Sequence, residues 1–220
     1  MSAAAGSNSI LGQYLALFAS TEIFIFVFME IVVKLDTIQR VIFKKARNVD
    51  YIWFILIFGL FSVFGTYIGT TQTDGAIVNI RDLAPMVAGL VAGPAVGLAV
   101  GLIGGIHRFF LGGPSAIPCS MATVLAGLLG GVVYLLNREK LIGIVPAMLF
   151  AAGIELLHGG LALLLIRPWS LAVEIVWEAI PQMVIANSLG VGIAVIIIHD
   201  LIHHYGKAHA GDPSQAAGQG

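Results

Sequence analysis

Charge is what this chain has least of. Asp, Glu, Lys and Arg make up 10% of its 220 residues, where a soluble domain carries about 25%. At that level an ordinary cytosolic enzyme would have no polar coat, and a highly charged disordered protein is excluded as well. The few charges also balance: eleven Lys and Arg against twelve Asp and Glu give a formal net charge of −1. No global basic field exists to attract phosphate, so no nucleic-acid partner is expected. A single cysteine excludes a disulfide framework and a CxxC-type metal site. Residues 1–9 hold no Lys or Arg, and the apolar run after them is too long for a signal-peptide core, so no cleavable signal is expected.

Apolar residues are abundant, at 58% of the chain with a mean hydropathy of +0.96. A membrane span needs about 20 predominantly apolar residues. Five runs qualify: 10–33, 52–70, 118–136, 144–166 and 181–202. The sequence therefore predicts an all-α integral membrane protein built as one helical domain. A sixth run, 83–106, carries Gly89, Gly93, Gly97, Gly101 and Gly105 at every fourth position and is interrupted by Gly93-Pro94. That pair breaks a helix, because proline lacks an N–H and glycine is permissive.

Two topologies compete for this run: a single crossing, or a hairpin that turns at Gly93-Pro94 with both ends on one side. Lys34, Arg40, Lys44, Lys45 and Arg47 place the first loop in the cytoplasm by the positive-inside rule. A hairpin adds Arg138, Lys140 and Lys207 to that side and leaves Arg81, Arg108 and Arg167 outside, eight against three. A single crossing gives seven against four. The hairpin is favoured, with arms too short to cross alone and a glycine ladder that lets neighbouring helices approach. The N-terminus is then outside and the C-terminus cytoplasmic. The expected organisation is an extension at 1–9, a first span and basic loop at 10–51, a core at 52–205 and a disordered tail at 206–220. Residues 171–180 read as an interfacial half-helix before the last span, with Trp169 and Trp177 as interface anchors.

Ionisable residues within or at the edge of a membrane are costly and are functional candidates by default. Arg81 and Arg108 flank the two arms. The hairpin brings both to one face, where two guanidiniums repel unless an anion lies between them. Their planar forks suit a carboxylate. The other arrangement is that Arg81 pairs with Asp82 or Asp74 while Arg108 snorkels to the interface. The segment Gly112-Gly113-Pro114-Ser115-Ala116-Ile117-Pro118-Cys119-Ser120 is a constrained loop leading into a span. Ser115, Ser120 and Thr123 offer hydroxyls there, and Cys119 falls in the first helical turn. Glu155 and His158, at i and i+3 in one apolar span, are read as an internally satisfied pair, the alternative being a cavity-lining proton relay. Glu22 has no evident partner. His199, His203 and His204 read as interfacial polar residues, and no metal site is expected. No nucleophile–base set or phosphate loop is visible.

The order Asn79-x-Arg81, Gly93-Pro94, Gly104-Gly105-x-His107-Arg108, Gly112-Gly113-Pro114, Cys119-Ser120 and Ala126-Gly127-Leu128-Leu129-Gly130-Gly131 resembles the five-transmembrane receptor module of LytS/YhcK-type sensor histidine kinases. The likeness covers about residues 52–202. The resemblance implies a membrane receptor, some of whose relatives sense pyruvate, with Arg81, Arg108 and Cys119 holding the ligand. Asn79, Ser115, Ser120 and Thr123 complete the candidate set. A hydroxyl residue that the family pattern expects one turn after the cysteine is Ala122 here, with Ser120 and Thr123 as nearby substitutes. The Gly93-Pro94 hairpin also resembles, at the level of fold, the S-components of energy-coupling-factor vitamin transporters.

The expectation is therefore a receptor in the plasma (inner) membrane, in contact with lipid and homodimeric. It binds a small carboxylate such as pyruvate from outside and signals to a cytoplasmic kinase or other output partner. The alternative is an S-component-like substrate-binding subunit or small-solute carrier. A LytS-type kinase continues into output domains beyond a chain of this length, and similar modules precede diguanylate cyclase domains, so the expectation is a piece of a longer sensor, kinase or cyclase, or a stand-alone receptor. Neither cofactor nor catalysis is expected of these residues alone.

Overall fold

The computed structural model describes residues 18–68, 70–71 and 77–210. Among the described residues eight helices follow one another: α1 (18–32), α2 (Asp36–Ile42), α3 (Asn48–Ile68), α4 (Leu83–Ala92), α5 (Pro94–Phe110), α6 (Ala116–Leu136), α7 (Ile144–Leu165) and α8 (Trp169–Ala210). Two-residue strands, Thr70–Thr71 and Ile77–Val78, pair antiparallel after α3. The fold is all-helical otherwise. Among the described residues four helices, α3, α6, α7 and α8, are long and apolar enough to span a bilayer; α1 is the described part of the first predicted span. Residues 1–17, Asp74 and residues 211–220 lie outside the described part. The extension, the start of the first span and most of the proposed tail fall there.

Gly93 makes the hairpin. Its φ of 88° lies in the left-handed region, where glycine carries no Cβ penalty. Pro94 then opens α5 at a position where its missing N–H is no loss. The arms fold back on each other until a Cβ on Gly97 would stand 2.7 Å from the Gly89 Cα. Sequence spacing predicts arms of 10–13 residues, whereas α5 runs to 17, because helical pattern continues through His107, Arg108 and Phe109.

The glycine ladder faces α6. A Cβ on Gly97 would collide with the Gly127 carbonyl, and one on Gly127 with the Gly97 carbonyl. One on Gly101 would meet the Thr123 carbonyl oxygen at 2.8 Å, and one on Gly105 the Ser120 carbonyl oxygen at 2.9 Å. Lipid tails are as apolar as leucine, so close packing supplies the attraction that water supplies elsewhere. This contact fixes the hairpin against the helix that carries Cys119 and Thr123.

α8 corrects the half-helix expectation. It runs without a break through Pro181, and Trp169 and Trp177 lie exposed on its first turns. One proline removes one helix bond, whereas ending a helix strands up to four carbonyls and four N–H groups. In apolar surroundings continuity is the cheaper solution. The helical backbone also passes Tyr205 and reaches Ala210.

Two ends of the bundle differ in chemistry. At one, Lys44 Nζ lies 3.0 Å from Glu139 Oε2, the Phe43 and Tyr205 rings stack at 3.9 Å, and Arg40 holds Asp50 at 2.7 Å. The basic loop, the α6–α7 turn and the end of α8 therefore meet. At the other end lie Arg81, Arg108 and Cys119.

Candidate functional site

Arg81 and Arg108 are fully buried, each with zero exposure. Arg108 does not snorkel. The turn ahead of α4 presents Arg81: its backbone N–H donates to Asn79 Oδ1 at 3.0 Å, and its carbonyl accepts from Ser62 Oγ at 3.0 Å. Asn187 Nδ2 of α8 donates to the Asn79 carbonyl at 3.3 Å, so Asn79 organises the backbone under the arginine. Arg108 closes α5 and is gripped by the next loop. Its Nη1 donates to the Gly112 carbonyl at 2.7 Å and its Nη2 to Ser115 Oγ at 2.9 Å. Gly112 and Gly113 have φ of 72° and 86°, the left-handed conformations that turn this loop back over the guanidinium.

Thr123 is the hub. Its hydroxyl accepts from Arg81 Nε at 2.8 Å and faces Asp82 Oδ1 at 2.5 Å and the Cys119 carbonyl at 2.9 Å. Arg81 Nε is itself 3.6 Å from Asp82 Oδ1. The pairing of Arg81 with Asp82 and the convergence of the arginines thus coexist, because one carboxylate engages only one edge of the guanidinium. Arg81 Nη1 and Nη2 and Arg108 Nε are buried with no hydrogen-bond partner among the described residues. An unsatisfied buried charged donor costs roughly 1–3 kcal/mol or more.

Cys119 sits in the first turn of α6. Opposite it, His158 Nε2 lies 3.1 Å from Sγ. His158 Nδ1 is 3.2 Å from Asp82 Oδ2 and 3.4 Å from Glu155 Oε2, ion-pair separations. Glu155 and His158 thus stand at ion-pair distance, but His158 Nδ1 and both Glu155 carboxylate oxygens have no hydrogen-bond partner among the described residues, so the mutually satisfied pair is not formed; His158 instead reaches α6 and the turn before α4. Sequence reasoning missed this. The i, i+3 spacing shows only the local partner, whereas Cys119 and Asp82 come from α6 and from the turn before α4.

Ser120 stands apart from the centre: its hydroxyl donates to the Ala116 carbonyl of its own helix at 2.7 Å. Ala122 is buried without a polar atom to offer. Asp82, Glu155 and His158 offer atoms within 4.8 Å of one another, a spacing a metal ion would accept, but Arg81 already supplies positive charge to Asp82. His199 lies 3.1 Å from the Ile142 carbonyl, and His204 pairs with Asp200 at 3.3 Å, so these histidines serve the other end of the bundle. Both Glu22 carboxylate oxygens are buried without a hydrogen-bond partner among the described residues.

The arrangement is a buried polar cluster drawn from α5, α6, α7 and the turn before α4, with unused guanidinium donors, a hydroxyl hub and a thiol. It has the inventory to hold a small planar anion. The chain is similar in sequence to known sensor proteins. A family model described as 5TMR of 5TMR-LYT matches residues 35–201. The sensor histidine kinase BtsS of Escherichia coli K12 is 33% identical over 150 residues, covering 66% of this chain and 27% of that protein. The sensor protein LytS of Bacillus subtilis is 34% identical over 173 residues, covering 71% of this chain and 29% of that protein. YpdA of Escherichia coli K12, also a sensor histidine kinase, is 30% identical over 155 residues, or 66% of this chain and 26% of that protein. The chain thus spans less than a third of the length of these relatives. No solved structure matches it.

Proposed function

Because the chain belongs to the five-transmembrane receptor family of LytS-type sensor kinases, a multi-pass module of the cell membrane, we propose that it senses a small carboxylate of the 2-oxo acid class, such as pyruvate. The supporting observation is the pair of buried arginines with unused donors, Arg81 Nη1 and Nη2 and Arg108 Nε. They are 27 positions apart in sequence, and the Gly93 hairpin brings them to the same end of the bundle. A carboxylate between them satisfies donors that protein atoms leave idle and cancels the repulsion of two like charges.

Ligand enters from the outer side. The end holding Lys44, Lys45, Arg40 and Arg138 is cytoplasmic by charge, and the buried arginine pair is at the opposite end. Entry requires the Gly112–Ser115 loop to release Arg108, so the carboxylate takes over bonds now made by the Gly112 carbonyl and the Ser115 hydroxyl. A ligand shifts a receptor only through different affinity for two states. Here the two states differ in whether Arg108 grips its own loop or the ligand. α8 passes the site through Asn187 and ends beside the basic loop, and it carries the change to a cytoplasmic kinase output. A homodimer in the membrane completes this reading.

The test is a titration of purified protein with pyruvate, lactate and acetate, by calorimetry or thermal shift. Saturable binding that weakens in both Arg81→Ala and Arg108→Ala supports the reading. Absence of binding by all three acids contradicts it.

A further inference from the structure

A lone buried cysteine is ordinarily a small hydrophobe. Cys119 is not placed like one. An imidazole nitrogen stands 3.1 Å from its sulfur, and the other nitrogen of that ring faces a buried carboxylate at 3.2 Å. A thiol within hydrogen-bond reach of an imidazole, with a carboxylate at ion-pair distance on a third element, is close to the geometry that activates a thiol. Beside them, Arg81 Nη1 and Nη2 are fully buried donors with no partner among the described residues. Simple retention of a carboxylate needs the arginines and not the Cys119–His158–Asp82 line.

Resting on the 2-oxo acid reading above, we propose that Cys119 captures the ligand's keto carbon as a reversible thiohemiketal, with His158 moving the proton and Asp82 orienting His158. The thiol proton passes to His158 Nε2. A sulfur lone pair forms the S–C bond to C2 as the C=O π pair moves onto oxygen, and that oxygen takes the proton from His158. The thiol hydrogen ends on the new hydroxyl, nothing is oxidised or reduced, and the reverse steps release intact ligand. The arginines promote the addition by neutralising the adjacent carboxylate, which makes C2 more electrophilic. Selectivity follows from chemistry: lactate and acetate present no ketone and are held by the arginines alone. The tetrahedral adduct is also a larger, differently shaped occupant than the planar acid, which gives the site two distinguishable liganded shapes.

The chain has one cysteine, so protein labelled with [3-13C]cysteine carries that label at a single site. Solid-state NMR of this protein in liposomes with [2-13C]pyruvate should show a new tetrahedral C2 resonance correlated with the Cys119 β-carbon. Cys119→Ala should lack that resonance while still binding pyruvate more weakly. The preference of wild type for pyruvate over lactate, expected to be at least tenfold, should collapse in the variant. If calorimetry shows saturation while bound C2 stays in the ketone region, the adduct is disproved and the carboxylate reading survives. If wild type binds pyruvate and lactate equally, the adduct is likewise disproved. If pyruvate does not bind at all, both fall. The wild-type spectrum decides the matter even if a variant fails to fold.

Discussion

Arg81 and Thr123, 42 positions apart, meet at 2.8 Å in the buried centre of the bundle. The Thr123 hydroxyl also faces Asp82, so one oxygen joins the turn before α4 to α6. Its position depends on the contact of Gly97 with Gly127, which brings hairpin and helix together. The packing of the fold and the chemistry of the site are thus one arrangement.

Thr123→Val keeps the shape of the side chain and removes the hydroxyl. It leaves Arg81 Nε and Asp82 Oδ1 without this partner in a buried setting. Hydrogen bonds to charged groups are worth about 1.5–3 kcal/mol, and a loss of that order is expected. Thr123→Ser should retain most of it. Thermal unfolding of the three proteins in one detergent checks this, and equal melting temperatures would contradict it.

Gly97→Ala places a methyl group against the Gly127 carbonyl, and neither backbone can yield easily. The cost should be about 1–3 kcal/mol, as for other overpacked sites. Gly153 is the control, because nothing lies within 4 Å of a Cβ there. Gly153→Ala should be neutral or stabilise by up to about 1 kcal/mol through helix propensity. Reversal of that order would mean that the ladder does not face α6.

The distribution of charge predicts sides. In a Cys119→Ala background, a cysteine at Gly112 should react with an impermeant thiol reagent from outside intact cells. One at Arg138 should react only after the membrane is permeabilised. Labelling of both from the same side would overturn the sidedness and the charge argument behind it.

Much of this was readable in the sequence, for reasons that differ by residue. The spans follow from apolar run length, and Gly93-Pro94 is a local break that needs no tertiary knowledge. Arg81, Arg108 and Cys119 stand out because charge and thiol are scarce here. His158 as a partner of Cys119 was not readable, since 39 positions separate them and only folding sets them together. Ser120 was drawn in by its neighbourhood in sequence, but helical geometry turns its hydroxyl back onto Ala116. Pro181 misled in the other direction, because a proline signal carries less weight where ending a helix strands more backbone groups than the proline does.

The end of α8 is coupled to the basic loop through Phe43 and Tyr205, whose rings stack at 3.9 Å, and through the bond from Lys45 to the Tyr205 hydroxyl at 2.9 Å. A double-mutant cycle of Phe43→Ala and Tyr205→Ala should give a coupling energy of about 0.5–1.5 kcal/mol, as for aromatic pairs elsewhere. A coupling energy near zero would mean that this contact does not hold α8 to the loop.

The central claim is that Arg81 and Arg108 together bind a small 2-oxo acid. Isothermal titration of pyruvate into the purified protein, its Arg81→Ala variant and its Arg108→Ala variant tests it most directly. Six heavy atoms at a ceiling of roughly 1.5 kcal/mol each limit binding to about −9 kcal/mol, so the dissociation constant should be no tighter than about 10⁻⁷ M. The account predicts saturable binding in the micromolar to millimolar range, weakened at least about tenfold by either substitution, since each removes charge-assisted bonds worth about 1.5–3 kcal/mol. Wild-type affinity in both variants, or no pyruvate binding in that range, would contradict it.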